Sequence, residues 1–253
     1  MKNEQEQFNF TQEPPEKAPQ RSIYLLPNLL TTAALFAGFY SIVAAMKGHF
    51  ESSAIAIFIA IIADGLDGRV ARLTNTQSSF GAQYDSLSDM VAFGVAPALV
   101  IFSFSLFYLG KLGWLLAFLY TASTALRLAR FNIQAHDPYY FKGLPCPSGA
   151  GTIASMVWIG ASYEVNGILL AIPIAILTVM VATLMISTIR YYSFKNIDFK
   201  GHVPFFTVVT AVFLIAAVAL EPPEMLFTIF FGYVISGLFV TLWQLRKTRK
   251  QKK

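Results

Sequence analysis

The sequence predicts an all-α, polytopic integral membrane protein with about eight transmembrane helices, and three observations carry that prediction. Of the 253 residues, 55% are hydrophobic and only 13% are charged, against roughly a quarter charged in an ordinary soluble domain. Eight apolar stretches, separated by short polar or Gly/Pro breaks, approach the roughly 20 residues that a helix needs to cross a bilayer. The basic residues are also strongly sided. With eight alternating spans, all of the 19 Lys and Arg residues except Lys47 and Lys111 fall on the side that holds both termini. The positive-inside rule makes that side cytoplasmic, whereas seven spans would split the basic groups between the two sides.

The elements follow in chain order. Residues 1–22 are polar and rich in Gln, Glu and Pro; they lack the apolar run of a signal peptide and read as a disordered cytoplasmic leader, with "NFT" at Asn9 a chance match. Spans are expected at 27–46, 52–73, 84–109, 112–133, 148–164, 166–190, 203–220 and 223–244. The second and fourth are impure, because charges enter their C-terminal halves. No internal repeat of the transporter type is visible. Residues 245–253 form a basic cytoplasmic tail, "RKTRKQKK" from Arg246, read as a solvated anchor beside anionic membrane lipids rather than a nucleic-acid contact. Cys146 is the single cysteine, so no disulfide forms within the chain. The 23 phenylalanines are read as lipid-facing and packing residues.

One stretch is out of keeping with this composition. "DGLDGRVARLTNTQSSFGAQYDSLSD", residues 64–89, holds four of the six aspartates of the chain. A single ionised side chain at mid-membrane costs on the order of 2.5–3.5 kcal/mol on insertion scales, so this group requires partners or a purpose. On a helix, Asp64, Asp67 and Ala71 share one face at i, i+3 and i+7, and Gly81, Asp85 and Asp89 share another at i, i+4 and i+8. The polar "RLTNTQSSF" between them reads as a cytoplasmic loop that reverses the chain. Two antiparallel helices then present carboxylates to each other. Their repulsion is relieved by divalent cations, and an all-oxygen donor set suits Mg2+ or Mn2+. No Cys/His set of zinc type accompanies it, since His49, His136 and His202 sit in different segments. Gly68 and Gly81 expose backbone on the carboxylate faces, and Arg72 sets a fixed cation at the rim, suited to phosphate. A divalent pair among carboxylates supports in-line displacement at phosphorus, which points to a lipid phosphate or pyrophosphate.

Asp64, Asp67, Gly68, Ala71, Arg72, Gly81, Asp85 and Asp89 have the spacing D-x2-D-G-x2-A-R-x8-G-x3-D-x3-D, which resembles the complete signature of the CDP-alcohol phosphatidyltransferase family. The resemblance implies a six-helix catalytic core, here 23–202, with two additional helices at 203–244. It implies binding of CDP-diacylglycerol at the cytoplasmic face and transfer of its phosphatidyl group to an alcohol. By the same resemblance, Asp64, Asp67 and Asp85 hold a metal pair, and Asp89 is a ligand of one ion or the general base. Gly68, Arg72 and Gly81 would cradle the cytidine diphosphate. Apart from the resemblance, Asn28 and Thr31, beside Pro27 at the cytoplasmic entry of the first helix, are expected from their position to be further nucleotide contacts. A homodimer is implied as well.

The acceptor is read from the residues between these positions. "NTQS", "FGAQYDSLSD", "MVAFGVAPA", "PNLLTTAALFAGFY", "LRLARFN" at 126–132, "FKGLPCPSGAG" at 141–151 and "STIRYYSFK" at 187–195 resemble the serine-accepting branch of the family, in which Gln83 departs from a frequent Glu. L-Serine carries a carboxylate that needs a cationic partner, and Arg130 and Arg190, near cytoplasmic helix ends, are the candidates. Asn132 is expected to order the loop after the fourth span, which Gly143, Pro145 and Pro147 shape. A phospholipase-D-type mechanism requires H-x-K, which none of the three histidines provides. Two alternatives stand beside this reading: another acceptor such as glycerol phosphate or inositol phosphate, and a cation transporter. A transporter would spread its carboxylates along a path rather than gather them in one hairpin.

Overall fold

A computed structural model of the chain describes residues 25–74, 76–133, 140–192 and 205–251. The leader 1–22, His136, His202 and the last two residues of the basic tail lie outside the described residues. Among those described, the helices are α1 (Leu25–Met46), α2 (Phe50–Leu73), α3 (Ser79–Asp89), α4 (Ala96–Phe104), α5 (Lys111–Ile133), α6 (Cys146–Ser162), α7 (Ala171–Ile186), α8 (Phe205–Leu220) and α9 (Pro222–Gln251). A π-helical turn, Met90–Val95, joins α3 to α4, and a 3-10 turn, Leu106–Leu109, follows α4. Leu25–Met46, the continuous Ser79–Phe104, Lys111–Ile133 and Pro222–Phe239 are each long and apolar enough to cross a membrane. The protein is therefore an all-α membrane protein.

Small residues set the packing of α1 on α2. Ala34, Ala37 and Ala45 of α1 and Ala54, Ala60 and Ala63 of α2 belong to one buried cluster, so the two backbones approach closely, as is usual where helices meet without a solvent-driven hydrophobic term. The pair is also stitched by reciprocal bonds: Ser41 Oγ donates to the Ser53 carbonyl and Ser53 Oγ to the Ser41 carbonyl, both at 2.8 Å. The buried face of α2 continues from Ala56, Ala60 and Ala63 to Asp67. Helical period thus delivers a carboxylate onto the stripe that faces the core.

The third span was expected at 84–109, and the helix begins earlier. Ser78 caps it by accepting a hydrogen bond from the Gly81 N–H at 2.9 Å, which supplies a partner for one of the free N–H groups of the first turn. The helix ends at Phe104, where the 3-10 turn takes over. Within it, the π turn widens the backbone, and the Phe93 carbonyl accepts a hydrogen bond from Tyr120 Oη of α5 at 3.0 Å. Such single turns are frequent beside functional sites. α1 passes this turn at a glycine: a Cβ on Gly38 would lie 2.6 Å from the Ala92 Cα.

The sixth span also differs from expectation, starting at Ala171 rather than 166. The preceding residues are held as turns, with Ser105 Oγ donating to the Gly167 carbonyl at 2.7 Å and the Ile168 N–H donating to Asn166 Oδ1 at 3.1 Å. At the other end of the helices, β1 (Tyr140–Lys142) and β2 (Arg190–Tyr192) form a short antiparallel ladder that joins the segment before α6 to the segment after α7. Gly143, at φ +82°, turns the chain out of this ladder and donates its N–H to the Ile189 carbonyl at 2.8 Å. Tyr191 then docks α9: its ring fills the space left by Gly237, and its Oη donates to the Val234 carbonyl at 3.1 Å.

Candidate active site

The two acidic faces read from the sequence meet. Asp64 and Asp67 near the C-terminal end of α2 and Asp85 on α3 each offer a carboxylate oxygen, and these oxygens lie within 4.8 Å of one another. Asp89, one helical turn beyond Asp85, is in hydrogen-bonding contact with Asp64. Asp67 is buried, at 5% exposure, and Asp64, Asp85 and Asp89 are partly buried. Four carboxylates this close repel one another when ionised. A hard divalent cation fits the donor set, because every converging atom is a carboxylate oxygen.

Thr31 ties the site to α1. Its Oγ1 donates to Asp67 Oδ2 at 2.7 Å, and its carbonyl accepts from Ser88 Oγ at 3.0 Å. The Gly68 N–H supplies a second hydrogen bond to Asp67. One threonine on α1 therefore fixes a carboxylate of α2 and the turn of α3 that lies between Asp85 and Asp89. Buried partners of this kind orient ligand side chains and hold one rotamer.

A Cβ on Gly81 would lie 3.1 Å from Ser78 Oγ and 3.5 Å from Asn28 Oδ1, so Asn28 and Gly81 are neighbours. A Cβ on Gly68 would meet only Arg72 Nη1, at 3.7 Å, so the protein itself leaves Gly68 open. Arg72 is exposed. Arg130 donates from Nη1 to the Ser187 carbonyl at 3.2 Å and thereby links α5 to the segment after α7. Arg190 is exposed on β2, opposite Lys142. Asn132 donates from Nδ2 to Ser86 Oγ at 3.0 Å, binding the end of α5 to α3 between Asp85 and Asp89.

Two features are not apparent from the motif. Tyr84 shares a 2.9 Å hydrogen bond with Thr32 and stacks on Phe80, with ring centroids 6.0 Å apart, which adds a second link between α1 and α3. Arg127 is buried at 8% exposure and donates from Nη1 to Cys146 Sγ at 3.1 Å. Its spacing carries the signal: Tyr120, Thr124 and Arg127 stand at i, i+4 and i+7 on the buried face of α5.

The acidic helix hairpin, with a glycine-flanked arginine, is thus set in a bundle of apolar helices. The chain belongs to the CDP-alcohol phosphatidyltransferase family, whose profile matches residues 24–189. It is 37% identical over 233 residues to a CDP-diacylglycerol–serine O-phosphatidyltransferase of Helicobacter pylori, covering 90% of this chain and 96% of that protein. A protein of the same name from Mycobacterium leprae is 33% identical over 84% of this chain and 73% of its own length. An archaetidylserine synthase of Methanothermobacter thermautotrophicus is 36% identical over 67% of this chain and 70% of that protein.

Proposed function

We propose that the protein transfers the phosphatidyl group of CDP-diacylglycerol to the hydroxyl of L-serine, giving phosphatidylserine and CMP. The observation that carries the reading is the convergence of Asp64, Asp67 and Asp85 within 4.8 Å, in a chain of this family whose relatives bear the name of that reaction.

Asp64, Asp67 and Asp85 are the residues that would hold a pair of Mg2+ or Mn2+ ions, which when bound would offset the charge gathering on the diphosphate and its leaving group. Gly68 and Gly81 admit the cytidine diphosphate close to the backbone, with Asn28 and Thr31 beside it and Arg72 giving fixed charge to a phosphate oxygen. The serine hydroxyl oxygen forms the new bond to the β-phosphorus, and the bond from that phosphorus to the bridging oxygen breaks, releasing CMP. Asp89 accepts the hydroxyl proton, a role that positioned carboxylates fill in general base catalysis. Arg130 and Arg190 are the outer contacts proposed for the serine carboxylate.

The basic residues gathered near the aspartate-bearing helix ends support an active site that opens to the cytoplasm, with both termini on that side. The family core 23–202 with two additional helices at 203–244 accords with the extent of the family match. Association into a homodimer belongs to the same proposal and is read by light scattering in detergent. An acceptor panel tests the reaction. Purified protein with CDP-diacylglycerol and Mg2+ or Mn2+ is expected to consume L-serine and to leave glycerol phosphate and inositol phosphate untouched. Consumption of either phosphate in place of serine would overturn the acceptor while leaving the reaction class standing.

A further inference from the structure

Among the described arginines, Arg127 stands apart. It lies on α5 at 8% exposure, its Nη1 meets Cys146 Sγ at 3.1 Å, and its buried Nε–H has no hydrogen-bond partner among the described residues. A guanidinium presents a planar fork of N–H donors matched to a carboxylate or phosphate. Holding that fork out of water against a thiol, with one donor unmet, is unfavourable unless an anion completes it.

The surroundings show which space such an anion would share. Cys146 is the first residue of α6, a 17-residue helix whose N-cap, Pro145, makes no side-chain capping bond. In that turn Pro147 carries no N–H and the Ser148 and Gly149 N–H groups donate to the Pro145 carbonyl, so the Cys146 N–H, beside Arg127, is the donor that an anion at this helix end would meet. Thr124, one turn before Arg127 on α5, packs against Gly94 of the π turn, and Asn132, beyond it, bonds Ser86 of α3, so Arg127 lies on the stretch of α5 that runs past Asp89. Arg127 and Asp89 thus belong to facing stretches of α5 and α3, with the first turn of α6 against Arg127.

We propose that Arg127, together with the N-terminal turn of α6, binds the carboxylate of the acceptor amino acid and so directs its hydroxyl toward Asp89. In serine, three bonds separate the carboxyl carbon from the hydroxyl oxygen, and an anion anchored beside Cys146 keeps that oxygen on the aspartate side. Arg130, engaged with the Ser187 carbonyl, and the exposed Arg190 then serve at the mouth, while Arg127 makes the inner contact. The inference rests on serine as acceptor. It also predicts selectivity against amino alcohols without a carboxylate, because these would leave the buried guanidinium unpaired.

The test uses the full-length protein in detergent. Arg127→Gln and Arg127→Lys are compared with wild type for the KM of L-serine, the KM of CDP-diacylglycerol and the divalent-ion requirement, with L-serine amide as the acceptor lacking a carboxylate. Arg127→Gln is expected to raise the serine KM by about 10- to 100-fold, the range for a lost charged hydrogen bond, and to erase the preference for serine over its amide. The KM of CDP-diacylglycerol and the ion requirement stay within about twofold. Arg127→Lys, which keeps the charge and loses the fork, falls between. If Arg127→Gln does not fold, Arg127→Lys carries the same comparison. A serine KM unchanged in the variants overturns the inference, as does an equal shift for CDP-diacylglycerol, which would assign Arg127 to the diphosphate, or for the ion, which would make it a counter-charge to the aspartates. Wild-type protein that ignores serine overturns the acceptor reading itself; wild-type protein that uses serine while both variants match it overturns this inference alone.

Discussion

Thr31 Oγ1 donates a 2.7 Å hydrogen bond to Asp67 Oδ2, joining the first helix to the buried carboxylate of the second. The bond is placed where α1 and α2 pack through small residues, so neither partner has room to swing away. Thr31→Val keeps the shape of the side chain and removes the donor. It is expected to weaken divalent-ion affinity by about 10- to 100-fold, as loss of an outer-shell partner does, and to lower stability by about 1–3 kcal/mol through the unsatisfied carboxylate oxygen. Titrating turnover with Mg2+ or Mn2+, alongside thermal unfolding, measures both effects.

Gly68→Ala separates packing from ligand approach. A Cβ there meets nothing of the protein closer than Arg72 Nη1 at 3.7 Å, and Ala favours a helix over Gly by about 1 kcal/mol. The variant is expected to be as stable as wild type or up to about 1 kcal/mol more stable, yet to show a KM for CDP-diacylglycerol raised by about tenfold or more, since the lost contact is with phosphate or nucleotide. Unchanged kinetics in this variant would remove Gly68 from the substrate surface.

Asp85→Asn and Asp89→Asn divide ligand from base. Asp89→Asn is expected to lower kcat by about 100- to 10,000-fold, the usual contribution of a general base, with the protein still inserted and folded. Asp85→Asn is expected to shift the divalent-ion dependence to higher concentration, with part of the turnover recovered at excess Mn2+. Full activity in both variants would contradict the site.

Gly143→Ala tests the loop rather than the chemistry. At φ +82°, with a Cβ 2.4 Å from the Met185 carbonyl oxygen, the substitution is expected to destabilise the fold by about 1–3 kcal/mol or more through backbone strain. The protein that remains folded keeps its kcat. A lowered thermal midpoint with normal specific activity per folded molecule is the expected pair of results.

The hairpin was legible because its information is local. The spacings of Asp64, Asp67, Asp85 and Asp89 translate directly into helical faces, and the faces meet as those spacings require. The apolar stretches were legible for the same reason, to within several residues at their ends. The π turn at Met90–Val95 was not, since one extra residue per turn leaves no mark on hydropathy. It depends on the Tyr120 bond and on the close passage of Gly38, both of which join segments far apart in sequence. The β1–β2 ladder is likewise a pairing of two distant loops. Arg127 shows the limit of counting charges: grouped with the other basic residues it belongs to the cytoplasmic rim, whereas its place on the Tyr120–Thr124 stripe puts it in the core. The docking of α9 through Tyr191 and Gly237 depends on a cavity that no single segment encodes.

The central claim is one phosphatidyl transfer to serine, dependent on the aspartate cluster. Its most direct measurement is the stoichiometry of CMP release against incorporation of labelled L-serine into lipid, in purified protein with CDP-diacylglycerol, with Mg2+ or Mn2+ and then with excess chelator. The account predicts one CMP per serine incorporated, lost on chelation and restored by the ion. CMP release without labelled lipid, or undiminished transfer under chelation, would contradict it.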